Sequence, residues 1–360
     1  MVFRGGSSME EAAAANHGGM EIGIYTLADL RTDPLTGVQI STKQRLEEIM
    51  QAAKMADEAG LDVFGVGEHH RLDYAVSSPQ MVLSAISQIT SRIRLTSATT
   101  VLNTVDPVRL FEDFATLDLL SHGRAEIMAG RGATLESFYL FGYDLEYYDE
   151  LFAEHLNLFF QLNADGRVTW EGRFRSALLE AEVSPRPVQN NIPLWIGVQE
   201  SLDSAARAGR VGAGLTLVIL DGNPIDYKPL VDVYRRAASQ AGVAAEAMRV
   251  GVTGHVYMAE TSQKARDEFH PYHSNYWDNG LSRADFDPLC GEDTALLVGS
   301  PQQVIEKILR QYELFGHRRF MAQMDIGGLP FAKVAKNIER LAADVAPVVR
   351  RETAKRSRLT

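Results

Sequence analysis

Between residues 21 and 349 the chain alternates short apolar runs with longer amphipathic stretches, and it does so eight times. No single motif limits the possible folds as tightly. An apolar run between two helices reads as a strand buried on both faces, the situation in a parallel sheet. The runs occupy 21–26, 62–66, 93–98, 125–129, 193–197, 214–220, 249–258 and 319–324. Eight regular repeats favour an α/β fold of the (β/α)8 TIM-barrel type over an open doubly wound sheet, which rarely runs so far without an antiparallel edge. The first strand is followed by no Gly-x-Gly-x-x-Gly turn, so a dinucleotide site of that kind has no support.

The helices carry their own start and stop signals. Ser41 or Thr42 caps a helix that Gly60 ends. Pro79, Pro107 and Pro301 each sit at a first helical turn, where the missing N–H costs nothing. Two insertions interrupt the repeat. After the fourth strand and its helix, 168–174 reads as a small hairpin. After the seventh, 261–299 reads as about forty irregular residues, and a loop of that length over a barrel mouth suits a lid. Residues 1–19 read as a disordered leader, and 20–360 as one domain.

Composition narrows the function. The hydrophobic share of 45% and charged share of 23% are those of an ordinary globular protein. A net charge of −11 disfavours general binding to nucleic acid or to anionic membranes. The single cysteine, Cys290, excludes an intrachain disulfide and suits a reducing compartment, so a cytoplasmic location is expected. No apolar run approaches the length of about 20 needed to span a bilayer.

Active sites of such barrels lie at the carboxyl ends of the strands. Glu68-His69-His70, Ala98-Thr99, Gly130-Arg131-Gly132 and Gly197-Val198-Gln199-Glu200-Ser201 all fall there. His69 is the catalytic candidate, because a neutral imidazole can hold an oxygen adduct or move a proton near neutral pH. For His70, a packed histidine bonded to a carbonyl is an equally good reading. Arg131 between two glycines suits a phosphate, although an ion pair with Glu126 or Glu136 is the plainer alternative. Ser201 caps the next helix, whose free N–H groups suit the same anion. Glu200 must then point away. No metal site is expected: only His255 and His273 lie near other strand ends, and no metal-ligand spacing occurs. His270, Tyr272, His273, Tyr276 and Trp277 form an aromatic cluster that either packs its loop or serves the lid.

Together Glu68-His69-His70, the stretch from Asp106-Pro107-Val108-Arg109 through Ser121-His122-Gly123-Arg124, and Gly130-Arg131-Gly132 resemble the bacterial-luciferase-like flavin-dependent monooxygenases. The resemblance runs from about residue 20 to 349. It implies a barrel that binds FMN at the strand ends, often as a homodimer. It also implies a cis peptide at Ala98–Thr99 beneath the flavin ring and phosphate contacts from Arg131 and from Gly197, Val198, Gln199, Glu200 and Ser201. His69 matches the histidine beside the reactive face. Gln199-Glu200 replaces a glycine pair found in many relatives. The expected activity uses reduced FMN from a separate flavin reductase, with O2, on a small organic substrate. The alternatives are hydride transfer with a deazaflavin coenzyme on the same barrel, and a non-catalytic flavin-binding protein.

Overall fold

The computed structural model of the chain describes residues 19–132 and 135–357. Of the expected leader, all but Gly19 lies outside the described residues. Eight parallel strands close into a barrel: β1 (Glu21–Thr26), β2 (Val63–Val66), β3 (Arg94–Ser97), β4 (Ala125–Gly130), β5 (Leu194–Val198), β6 (Gly214–Val218), β7 (Val250–Met258) and β8 (Arg319–Gln323). Each pairs with the next, and β8 returns to β1 in register from Glu21 opposite Arg319 to Tyr25 opposite Gln323. Every residue of β4 and β7 is buried, as expected for strands covered on both faces.

Helices α1 (Thr42–Glu58), α2 (Pro79–Ser87), α3 (Pro107–Ser121), α4 (Tyr148–Ala164), α5 (Leu202–Arg210) and α6 (Lys228–Gln240) follow the first six strands. Ser41 caps α1 through Gln44 N, and Asp106 caps α3 through the N–H groups of Val108 and Arg109. His122 and Gly123, both with positive φ, turn the chain out of α3 into β4.

Two expectations need correction. The hairpin is larger than 168–174: Arg167–Trp170 pairs antiparallel with Leu178–Glu182. Its loop is fixed from outside, because Glu154 of α4 accepts from the N–H groups of Arg173, Phe174 and Arg175. The segment 261–299 is regular. It holds α7 (Ser262–Trp277), α8 (Arg283–Leu289) and a short strand, Leu297–Gly299, paired to β7. Thr261 caps α7 through Lys264 N. The barrel closes with α9 (Pro301–Phe315) and α10 (Phe331–Arg340), which runs on through a π turn into a last helix.

The amino end of the barrel is closed by charge and an indole. Glu126 accepts from Arg94 and Arg319, Arg319 also pairs with Glu21 at 2.8 Å, and the Arg319 guanidinium lies 4.3 Å from the centre of the Trp195 ring. Burial opposes ionisation of Glu126, but the two guanidiniums outweigh it and hold the carboxyl far below its usual range. Above them Tyr25, Val63, Ala98, Met128, Trp195 and Met321 fill the interior.

Candidate active site

The carboxyl ends of β2, β3, β4 and β5 meet around one peptide bond. Ala98–Thr99, just past β3, is cis, as the resemblance implies. Its neighbours leave room by lacking side chains. A Cβ added to Gly65 would fall 2.9 Å from Ala98 Cβ, and one on Gly130 would fall 2.7 Å from Thr99 Oγ1. One on Gly197 would come within 3.1 Å of the Thr99 methyl. Thr99 therefore sits between the ends of β4 and β5, and substitution of Gly65 or Gly130 forces a shift there.

The turn after β2 is fastened to this point. Glu68 uses both oxygens: one accepts from Val101 N at 3.0 Å, the other meets His70 Nε2 at 2.9 Å. His70 is thus bonded to a carboxylate rather than to a carbonyl, and its ring meets the edge of Phe141 at 4.9 Å. His69 is free of that pair. Its ring lies flat on Tyr74, 3.9 Å between centres and 7° between planes, and its Nδ1 is buried without a hydrogen bond. Burial lowers its pKa from 6.5 to about 4, so the imidazole is neutral at physiological pH.

Arg131, at the exit of β4, is ion-paired with Asp149 of α4 and lies 5.0 Å from the centre of the Tyr148 ring. Tyr148 in turn donates to Gly132 O at 2.8 Å. The expected alternative partner Glu126 is instead held at the other end of the barrel by Arg94 and Arg319. Arg207 of α5 reaches the same spot: it donates to Asp149 O at 3.4 Å and lies 5.6 Å from the Phe152 ring. Ser201 caps α5, its hydroxyl accepting from Ser204 N at 3.2 Å. Val198 is buried, and Gln199 and Glu200 are exposed. Burial, with Asp221, Glu200 and Asp226 adding to it, raises the pKa of the Tyr227 phenol, so the Glu200 carboxylate is within electrostatic reach of that ring. The Arg131 and Arg207 guanidiniums thus meet at Asp149, the first at its carboxylate and the second at its backbone carbonyl, a pair of donors suited to a phosphate monoester.

A roof comes from α7. His255, at the end of β7, meets Tyr276 edge-on at 5.5 Å, Trp277 at 5.9 Å and His273 at 6.2 Å. Burial lowers the pKa of His255 to about 3 and that of His273 to about 4, so this cluster is uncharged. The Tyr276 and Tyr74 phenols each perturb the other's ionisation, behind burial as the main cause, which sets the roof beside the ring stacked on His69. The sequence reading placed Glu68 at the rim without giving it a role, and missed Tyr74, Arg207 and Asp149. Arg207, six residues after Ser201 on the same helix, was the one with a signal to follow. Among the described residues no cluster of His, Cys, Asp and Glu is arranged to hold a metal, and no helix is long and apolar enough to cross a membrane.

A closed parallel barrel whose strand ends carry a buried neutral histidine and two guanidiniums has the layout of a (β/α)8-barrel enzyme. The family model for luciferase-like monooxygenases matches residues 20–319, and the chain belongs to that family. It is 22% identical over 343 residues to the oxygenase component of a flavin-dependent trigonelline monooxygenase from Acinetobacter baylyi, covering 86% of this chain and 91% of the relative. It superimposes on a Streptomyces bottropensis monooxygenase with a TM-score of 0.81 at 26% identity, covering 91% and 99% of the two chains. A second likeness, at a TM-score of 0.74 and 21% identity, covers 91% and 98% of the two chains. It is to the oxygenating constituent of 3,6-diketocamphane monooxygenase from Pseudomonas putida, solved with FMN.

Proposed function

We propose that this protein is a flavin-dependent monooxygenase that uses reduced FMN and O2 to oxygenate a small organic substrate. In this reading the flavin comes from a separate reductase and the chain works as a homodimer. The observation that carries it is the shared rim: the anion site of Arg131, Arg207 and the α5 N-terminus, the Ala98–Thr99 floor and the neutral His69 surround one mouth. The relatives named as flavin-dependent monooxygenases support the same reading.

Reduced FMN, when bound, would supply two electrons and activate O2, so that one oxygen atom enters the substrate and the other leaves as water. The chain does the rest. Arg131 and Arg207 hold the phosphate. Thr99, flanked by Gly130 and Gly197, offers backbone and a small side chain to a flat ring. His69, kept neutral by burial, keeps Nδ1 inside and presents its other ring nitrogen at the mouth, and Tyr74 fixes the plane of that ring. Tyr276, Trp277 and His273 exclude water from above, which protects reactive species from hydrolysis and wasteful decay.

The test supplies photoreduced FMN to the protein without air, adds a panel of cyclic ketones, terpenes and N-heterocyclic acids, and then admits isotopically labelled O2. A product carrying one labelled oxygen atom is the expected result. If no labelled product forms, and a deazaflavin coenzyme binds more tightly than FMN and supports alcohol oxidation, hydride transfer replaces this reading. If neither cofactor binds, both enzymatic readings fail.

A further inference from the structure

The carboxyl half of α7 forms the roof, and its own helix holds it loosely. Pro271 has no N–H to give to the preceding turn, so the residues that follow are joined to the rest of α7 by one bond fewer. The helix then stops at Asp278, in the left-handed conformation with φ 50°. What keeps this half in place comes from outside it.

One side chain supplies the main tie. Asn275 Nδ2 donates to Thr32 O at 2.8 Å, in the loop after β1, and to Gly327 O at 2.9 Å, in the loop after β8. Both hydrogens of the amide are thus in use, and three segments far apart in sequence meet at one nitrogen. The packing around that point is close. A Cβ added to Gly327 would fall 1.9 Å from Tyr272 O, and one on Gly328 would fall 2.8 Å from Arg31 O. Arg31 adds a longer bond to Tyr276 O at 3.4 Å.

The two loops are also tied to each other and to the wall behind His69. Asp29, whose pKa burial raises to about 6, accepts through Oδ2 from Gly327 N at 2.9 Å. The same residue pairs with Tyr74 in an isolated antiparallel bridge, and Tyr74 carries the His69 ring. On the roof side, Tyr276 and Trp277 directly follow Asn275 and pack on His255. The amide of Asn275 therefore joins the wall of the mouth to its cover.

We propose that Asn275 is a positioning residue, a latch that holds Tyr276 and Trp277 shut over the mouth while O2 is being activated. The inference rests on the reading of the protein as a flavin-dependent monooxygenase. With the latch broken, water enters the mouth. The two electrons and two protons of reduced FMN then pass to O2, leaving oxidised FMN and H2O2 in place of an oxygenated product.

The test uses Asn275→Asp, which keeps the size of the side chain but removes both donors and sets a carboxylate against two carbonyl oxygens. Gly327→Ala reaches the same contact from the other side, because the new methyl would meet Tyr272 O. Hydrogen exchange of the full chain without flavin is read first. In both variants the amides of 272–280 should exchange about tenfold faster or more. Those of 262–269 and of strands β1 to β8 should keep their protection, which establishes that the variants fold. Photoreduced FMN is then mixed with O2 in the presence of each protein, and H2O2 release is followed. The unsubstituted protein should release it more slowly than free flavin does, and both variants should return most of the way to the free rate while FMN affinity stays the same. A role in folding alone would not move H2O2 release at constant FMN affinity and constant barrel protection. Unchanged exchange at 272–280, or unchanged H2O2 release, in both variants overturns the proposal. If the unsubstituted protein itself fails to slow H2O2 release, the monooxygenase reading falls instead, and the exchange measurement alone decides whether Asn275 latches the roof.

Discussion

Arg131 is ion-paired with Asp149, eighteen residues further along the chain. Under the proposed function, the arginine at the rim therefore has a carboxylate partner that an incoming phosphate would displace. Asp149 is mostly exposed and keeps its own access to water, so the exchange costs little. The pairing orients the guanidinium before any ligand arrives.

Removing the arginine separates phosphate recognition from ring recognition. Arg131→Ala should lower FMN affinity about tenfold or more, the worth of a charge-assisted contact of about 1.5–3 kcal/mol. Riboflavin, which lacks the phosphate, should bind as before. Fluorescence titration of both ligands checks this, and an equal loss for both would show that the arginine supports the fold instead.

Removing the competitor should do the opposite. Asp149→Asn frees Arg131 and removes a negative charge beside Arg207, so FMN should bind a few-fold more tightly, with the gain shrinking as salt is raised. Weaker FMN binding in this variant would mean that Asp149 is needed to position the guanidinium.

His69 should be silent in the usual histidine range. Its pKa lies near 4 where an exposed imidazole has 6.5, so turnover should show no ionisation of this residue between about pH 5 and 8. An acid limb near neutrality that vanishes in His69→Gln would contradict this.

Stability should fall with acid across a defined window. His69, His255 and His273 have pKa values of about 4, 3 and 4 in the folded chain, against 6.5 for an exposed histidine. Below pH 6.5 the unfolded chain takes up protons that the folded chain refuses, so their contribution is complete above 6.5 and is lost as pH falls toward 4. Asp29 works in the other direction, because its folded pKa of about 6 exceeds its ordinary 3.8 and the folded chain binds that proton first. Three groups outweigh one, since each tenfold change in proton affinity is worth about 1.4 kcal/mol. The melting temperature should drop by roughly ten degrees between about pH 7 and 4.5, and His255→Gln should flatten the slope.

Asp57 fixes the entry to β3. It accepts from the N–H groups of Ser91, Arg92 and Ile93 at 2.9, 2.9 and 2.7 Å. Asp57→Ala leaves three donors without their partner and should cost about 3 kcal/mol in denaturant unfolding.

The strands were legible because buried parallel strands are near-continuous apolar runs, and each predicted run agrees with its strand to within two residues at either end. The rim was legible for the same reason, since a strand's end fixes where the next residues go. α7 was not. It carries Pro271 in its interior and buries Phe269, Tyr272 and His273 where an ordinary helix would bury aliphatic residues, so its sequence looks like a loop. The true hairpin depends on Glu154, a residue of another helix, and no local pattern reports that contact. Asp149 and Tyr74 escaped because they act through partners far from any motif: an arginine after β4 and a histidine after β2.

The plug of Glu126, Arg94, Arg319 and Trp195 makes the barrel a cul-de-sac. Under the proposed function, cofactor, oxygen, substrate and product would then all pass through the mouth under α7, so that traffic would run last in, first out. A flavin held by its phosphate at the rim, with its ring deeper, would have to enter before the substrate and leave after the product. Turnover would be ordered, and excess substrate arriving early would shut the cofactor out.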